Sequence, residues 1–183
     1  MSEAPNHQID HAAAEREIQT FSFKAPDTYT RRKAIVRLAG TDRGQTAVHC
    51  LGQGGENNLH YHAGVDITWM VLKGRARFYG PEDVVRGEFG PHEGILIPSG
   101  ARYWFESCGT DDLELLQIKM YHRGKGTDKR IDAAPRDFDI MEGASHFEAA
   151  KACSEKLHLP STHSKGRGTI VAALLLGSQS FCF

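Results

Sequence analysis

The chain has 183 residues, 40% of them hydrophobic and 25% charged, which suits one globular domain with extensions and excludes a chain disordered throughout. Its 22 Lys and Arg against 23 Asp and Glu leave a formal net charge of -1, without the basic excess that nucleic acid or anionic lipid attracts. No run of about 18 apolar residues is present to span a bilayer. The stretch from Met1 to Asp10 is too polar for a signal-peptide core, so a cytoplasmic protein with no membrane partner is the expectation.

In chain order, residues 1–29 read as a polar arm, with a short helix around His11 to Glu17 where three consecutive alanines favour it. From Thr30 the texture becomes one of short β-rich runs punctuated by glycine. The predicted strands are Ala34–Leu38, Thr46–Leu51, Leu59–His62, Ile67–Leu72, Ala76–Tyr79, Gly94–Ile97, Tyr103–Phe105 and Leu113–Met120. That spacing predicts an all-β sandwich or barrel over residues 30–123. Residues 124–183 form an extension of unknown role. In it Ser145 and Glu148 have capping-box spacing, which predicts a helix from Ser145 to Leu157. The apolar segment Thr169–Leu176 is too short to cross a membrane, and three readings stay open: an element packed on the barrel or a second subunit, an aggregation-prone tail, or an unrelated appendage.

Cys50, Cys108, Cys153 and Cys182 stand far apart without a C-x-x-C pair, so they are expected as reduced thiols, with Cys50 packed in its apolar run. Among the histidines, His60 and His62 alone come as a closely spaced pair. On a strand, positions i and i+2 share a face, so both imidazoles converge. Two such nitrogens supply half the protein ligands of a divalent Fe, Mn, Ni or Zn ion with little selectivity among them. Asp66 follows, and a carboxylate there would complete a two-histidine, one-carboxylate face if a bulge corrected its register. Counting by twos, Asn58 joins the face of His60.

The segment from Gly54 through His60, His62 and Gly74 resembles the first motif of the cupins, a glycine, His-x-His, glutamate and glycine in set spacing. Here the glutamate position falls on Ile67, and Asp66 sits one residue early. The second cupin motif is matched by Gly94 and the Pro98-x-Gly100 turn, with Tyr103 where the last metal histidine would stand and Ser107 in place of asparagine. Over residues 30–121 the resemblance implies a jelly-roll β-barrel with an interior site. In the family's register Trp69 points into that site, and counting by twos from Tyr103 sets Phe105 beside it as a second lining residue, with Tyr103 expected as acid, hydrogen-bond donor or metal ligand. Cupins include dioxygenases, isomerases, lyases and non-catalytic binding or storage proteins, so the fold does not choose the activity. The expectation is a metal-dependent enzyme, a homodimer acting on an oxygenated small organic molecule. The alternative is a binding protein that has lost the metal.

Overall fold

Short runs of β-branched and aromatic residues broken by turns have little choice but to pair with one another, and they pair here in two layers. A computed structural model of the chain describes residues 9–28, 33–52, 58–124, 126, 128–134 and 144–152. The first layer holds β1 (Lys33–Gly40), β2 (Gly44–Leu51), β4 (Val65–Lys73), β7 (Gly94–Ile97), β9 (Leu113–Tyr121) and β11 (Ser145–Glu148) in the order β11-β1-β2-β9-β4-β7. The second holds a pair of β3 (Leu59–Ala63) with β10 (Lys129–Ala134) and a triplet of β5 (Ala76–Tyr79), β6 (Val85–Phe89) and β8 (Trp104–Ser107). His60 and Tyr103 exchange backbone hydrogen bonds of 3.1 and 2.8 Å, which joins pair and triplet into one face.

The chain changes layers between β3 and β4 at Gly64 alone, whose φ of 81° a side chain would resist. Inward-facing side chains then meet across the layers. Trp69 of β4 packs on Phe105 of β8 and Phe78 of β5 at centroid distances of 5.1 and 6.4 Å, within a core that includes Val65, Ile67, Val71 and Leu115. Two layers of strands, antiparallel except for β11 on β1, closing on one apolar core make this an all-β cupin-type jelly roll, as the motifs implied.

The first layer also has a buried outer face. Ala34, Val48 and Cys50 lie there beneath Phe23 and Ala25, so part of the polar arm packs on the sheet. Its short helix, α1 (His11–Arg16), is capped by Asp10, which accepts a 2.9 Å hydrogen bond from Ala13 N. Downstream, the Gln19 amide closes a double hydrogen bond with the backbone of Gly40.

Three strands differ from the sequence expectation. β6 carries Gly87 mid-strand and forms an outer edge of its sheet, so it lacks an apolar alternation. Residues 145–148, expected to start a helix, instead form β11, which runs parallel to β1 with Ala34 opposite Ser145 and Arg37 opposite Glu148. An open sheet edge offers these backbone groups partners that outweigh a local capping preference. β10 joins β3, so the sheets continue beyond residue 123 into the stretch read as an extension. Thr169–Leu176 and the end of the expected helix lie outside the described residues.

Candidate functional site

Between the layers a cavity of about 400 Å³ opens at the end of the barrel near β1, β3 and β10. Strand alternation builds its walls. On β1, Lys33, Ile35 and Arg37 face it, while Ala34 and Val36 are buried on the other side. β2 adds His49, β9 adds Gln117 and Lys119, and Trp69 and Tyr103 form the aromatic floor. His60 and His62 face in from β3, with Asp128 and Arg130 beside them. Four side-chain cations, from Lys33, Arg37, Lys119 and Arg130, thus surround a space that holds two carboxylates, Asp128 and Glu148.

Both expected histidines are in place and buried. His60 Nδ1 lies 2.7 Å from the carbonyl oxygen of Asn58. A carbonyl only accepts, so Nδ1 carries the proton and Nε2 keeps its lone pair. Burial, reinforced by the Arg130 charge, holds the His60 pKa at about 3, so the ring is neutral at physiological pH. His62 Nδ1 lies 2.7 Å from Asp128 Oδ1, which orients that ring in the same sense. Asp128 Oδ2 accepts a second bond, 2.7 Å long, from Lys119 Nζ. Burial acts to raise the Asp128 pKa, but the His62 and Lys119 hydrogen bonds outweigh it and hold the carboxyl at about 2.

Tyr103 is buried between the His60 ring, 4.5 Å away by centroids, and Phe78. Its hydroxyl accepts a 3.3 Å hydrogen bond from Trp69 Nε1. Burial pushes its phenol above the ordinary tyrosine range, so it stands as a neutral hydroxyl able to donate.

Asp66 is not brought to this site. β4 turns Val65, Ile67, Trp69 and Val71 inward, and Asp66 therefore faces out. Its carboxylate accepts a 2.8 Å bond from Ser99 N and lies 3.1 Å from His122 Nε2. Gly64 reverses the chain without adding a residue to β4, so no bulge corrects the register. Phe105 is wholly buried in the core under the floor, and Asn58 enters the site through its carbonyl.

The sequence reading missed His49, Gln117, Lys33, Lys119, Asp128 and Arg130. Residues 47–51 on β2 are buried on both faces, so alternation there carries no signal of which side holds the cavity. Asp128 reaches His62 across 66 positions, a pairing that no local spacing encodes.

Among the described residues the donors at this site do not complete a centre for a divalent metal. His60 and His62 offer one Nε2 each, the motif's glutamate position is the core residue Ile67, and the Tyr103 hydroxyl is held by Trp69. Among the described residues no three His, Cys, Asp or Glu side chains converge as a metal-binding group. The site is instead a cation-walled, aromatic-floored pocket with two fixed imidazoles.

No protein-family model and no curated protein matches the chain. Solved structures are similar to it. The polyketide cyclase RemF from Streptomyces resistomycificus is 18% identical, with 60% of this chain and 77% of that one covered, at a TM-score of 0.49. An RmlC-like cupin with a double-stranded β-helix fold from Methanocaldococcus jannaschii is 19% identical, with 58% and 93% covered, at 0.48. A cupin superfamily protein from Desulfitobacterium hafniense is 18% identical, with 52% and 84% covered, at 0.45. The cupin-type fold itself rests on the strand order and on the placement of His60, His62 and the Pro98 turn. No helix among the described residues is long and apolar enough to cross a membrane.

Proposed function

We propose that the cavity takes an anionic, oxygenated small organic molecule, with no resident metal, and that His62 exchanges a proton with it. The observation that carries this reading is the Lys119–Asp128–His62 chain inside a wall of cations. Lys33, Arg37 and Arg130 compensate a carboxylate or enolate. Asp128 holds His62 in the tautomer that presents Nε2, and the reaction class this favours is proton transfer, as in an isomerase or lyase. The neutral Tyr103 hydroxyl is placed to donate to a substrate oxygen.

The test is thermal stability with short carboxylates against neutral amides of the same size. A ligand that binds the native state raises the melting temperature. Carboxylates are expected to raise it and the amides to leave it unchanged, with the rise reduced in Arg130→Gln; equal responses to both would reject the reading.

One observation favours a second reading, a metal-dependent enzyme. Histidines that ligate metals have their other ring nitrogen held by a carboxylate or carbonyl, as His60 and His62 do. In that case Fe, Mn, Ni or Zn would supply Lewis-acid polarisation of the substrate. Elemental analysis of untagged protein purified anaerobically separates the two. The first reading expects no stoichiometric metal; the second expects about one ion per chain, lost in His60→Ala and His62→Ala.

A further inference from the structure

We infer that Arg37 and Gln117 read the ligand together, and that it is a 2-hydroxy or 2-oxo carboxylic acid. Arg37 takes the carboxylate, Gln117 takes the oxygen on the next carbon, and Trp69 takes the hydrocarbon beyond. The inference rests on the anion-binding reading of the same cavity and names the ligand's second functional group.

Register sets the order of these groups. Residues directly opposite each other on paired strands share a face. Arg37 of β1 is opposite Ala47 of β2, Ala47 is opposite Gln117 of β9, and Gln117 is opposite Trp69 of β4. Arg37, Gln117 and Trp69 all line the cavity, so one row across the inner face of the sheet runs cation, amide, aromatic ring. That is the order of carboxylate, oxygen and hydrocarbon along a 2-oxygenated acid. Arg37 and Gln117 stand two strand spacings apart, roughly 10 Å at the backbone. Between them in the row is Ala47, whose methyl group is too short to keep the two longer side chains from closing on one small molecule.

Other cations of the cavity are engaged by the protein. Asp128 binds Lys119, Arg130 Nη2 donates a 2.8 Å bond to Asp132, and Lys33 Nζ lies 5.4 Å from the centroid of the Phe105 ring. Arg37 forms no ion pair among the described residues, although Glu148 stands opposite it in register on β11. A planar guanidinium with its donors uncommitted meets a carboxylate through two parallel hydrogen bonds. Gln117 supplies the second contact. It is 6% exposed, so its amide is shielded from bulk water. Its oxygen accepts a hydrogen bond from the His49 ring, an interaction that favours the charged ring but is outweighed by burial. His49 Nδ1 has no partner among the described residues, so Nε2 is the donor. The amide's NH2 is thereby left to the cavity, with no acceptor for it among the described residues. A buried donor costs free energy until it is paired, and a hydroxyl or carbonyl oxygen of the ligand pairs it equally well. His60 and His62 face the same space from the other layer, where the proposed proton exchange takes place.

The experiment compares mandelate with phenylacetate, which lacks the 2-oxygen, and with mandelamide, which lacks the charge. Calorimetric titration of the full-length protein gives the three affinities, and lactate against propionate repeats the comparison for a smaller acid. Each 2-hydroxy acid is expected to bind about fivefold to tenfold tighter than its deoxy partner, the worth of one hydrogen bond. Mandelamide should bind about tenfold to a hundredfold more weakly than mandelate, the worth of a charge-assisted contact. In Arg37→Gln both acids should fall to the level of the amide, and Arg130→Gln should weaken them less. In Gln117→Leu mandelate should fall to the level of phenylacetate, whose own affinity stays unchanged. The wild-type comparison decides the matter even if a variant fails to fold. Equal affinity for the hydroxy and deoxy acids would overturn the proposal, as would unaltered selectivity in Arg37→Gln or Gln117→Leu. Acetate distinguishes the two readings. If acetate raises the melting temperature but the 2-oxygen brings no gain, the Arg37 and Gln117 assignment fails alone; if no carboxylate binds, the anion-binding reading fails with it.

Discussion

His62 on β3 and Asp128, just ahead of β10, share a 2.7 Å hydrogen bond that ties the inner strand pair together at the cavity. The same carboxylate binds Lys119 of the opposite layer, so one side chain fixes an imidazole and spans the barrel mouth.

Asp128→Asn keeps the volume and removes the charge. Because the folded pKa of about 2 lies below the unfolded carboxylate value, the stabilisation is present above about pH 4 and lost as pH falls through 2. The variant is expected to be less stable by about 2 kcal/mol at pH 7. Urea unfolding of both proteins between pH 3 and 7 checks this, and the gap should narrow on acidification.

His60 titrates near 3 when folded and near 6.5 when unfolded. Between those values the unfolded chain binds the extra proton, so stability declines as pH falls below about 6.5, with a limiting slope of about 1.4 kcal/mol per unit. His49, also held well below its ordinary value by burial first and by Lys33 and Lys119 next, acts in the same direction. His60→Gln should flatten the decline between pH 6.5 and 4. An unchanged slope in urea titrations would show that the His60 ring is solvated.

Gly94 begins β7 against β4, where an added Cβ would overlap the Trp69 carbonyl oxygen and sit 3.0 Å from Met70 Cα. Gly94→Ala is expected to cost about 1–3 kcal/mol by pushing β7 off β4. Trp69 should report the shift through altered near-ultraviolet circular dichroism.

Trp69→Phe keeps the aromatic floor but removes the donor to the Tyr103 hydroxyl. A loss of about 1 kcal/mol is expected for that hydrogen bond, in addition to the smaller ring. Fluorescence offers a second check: a carboxylate entering the cavity should quench the Trp69 contribution, and the response should disappear in Trp69→Phe while Trp104 still emits.

Much of the fold was legible because its signals are local. Ala76–Tyr79 and Gly94–Ile97 match the predicted strands at both ends, and the inward set Ile67, Trp69 and Val71 follows from period-two alternation. The pairing of His60 with His62 on one face was legible for the same reason. Ser145 misled because a capping preference of about 1 kcal/mol yields to an available sheet edge.

The sequence by itself determined the all-β class and the two convergent imidazoles, since each depends on spacing along one strand or turn, and its resemblance to the cupin motifs implied the jelly roll and set Tyr103 at the position of their last histidine. Only the tertiary structure decided that Asp66 faces outward, that Asp128 and not Asp66 is the carboxylate beside His62, and that Lys33, His49 and Arg130 share its cavity. Those outcomes depend on which strands become neighbours and which sheet face closes inward, and contacts between residues far apart in the chain settle both.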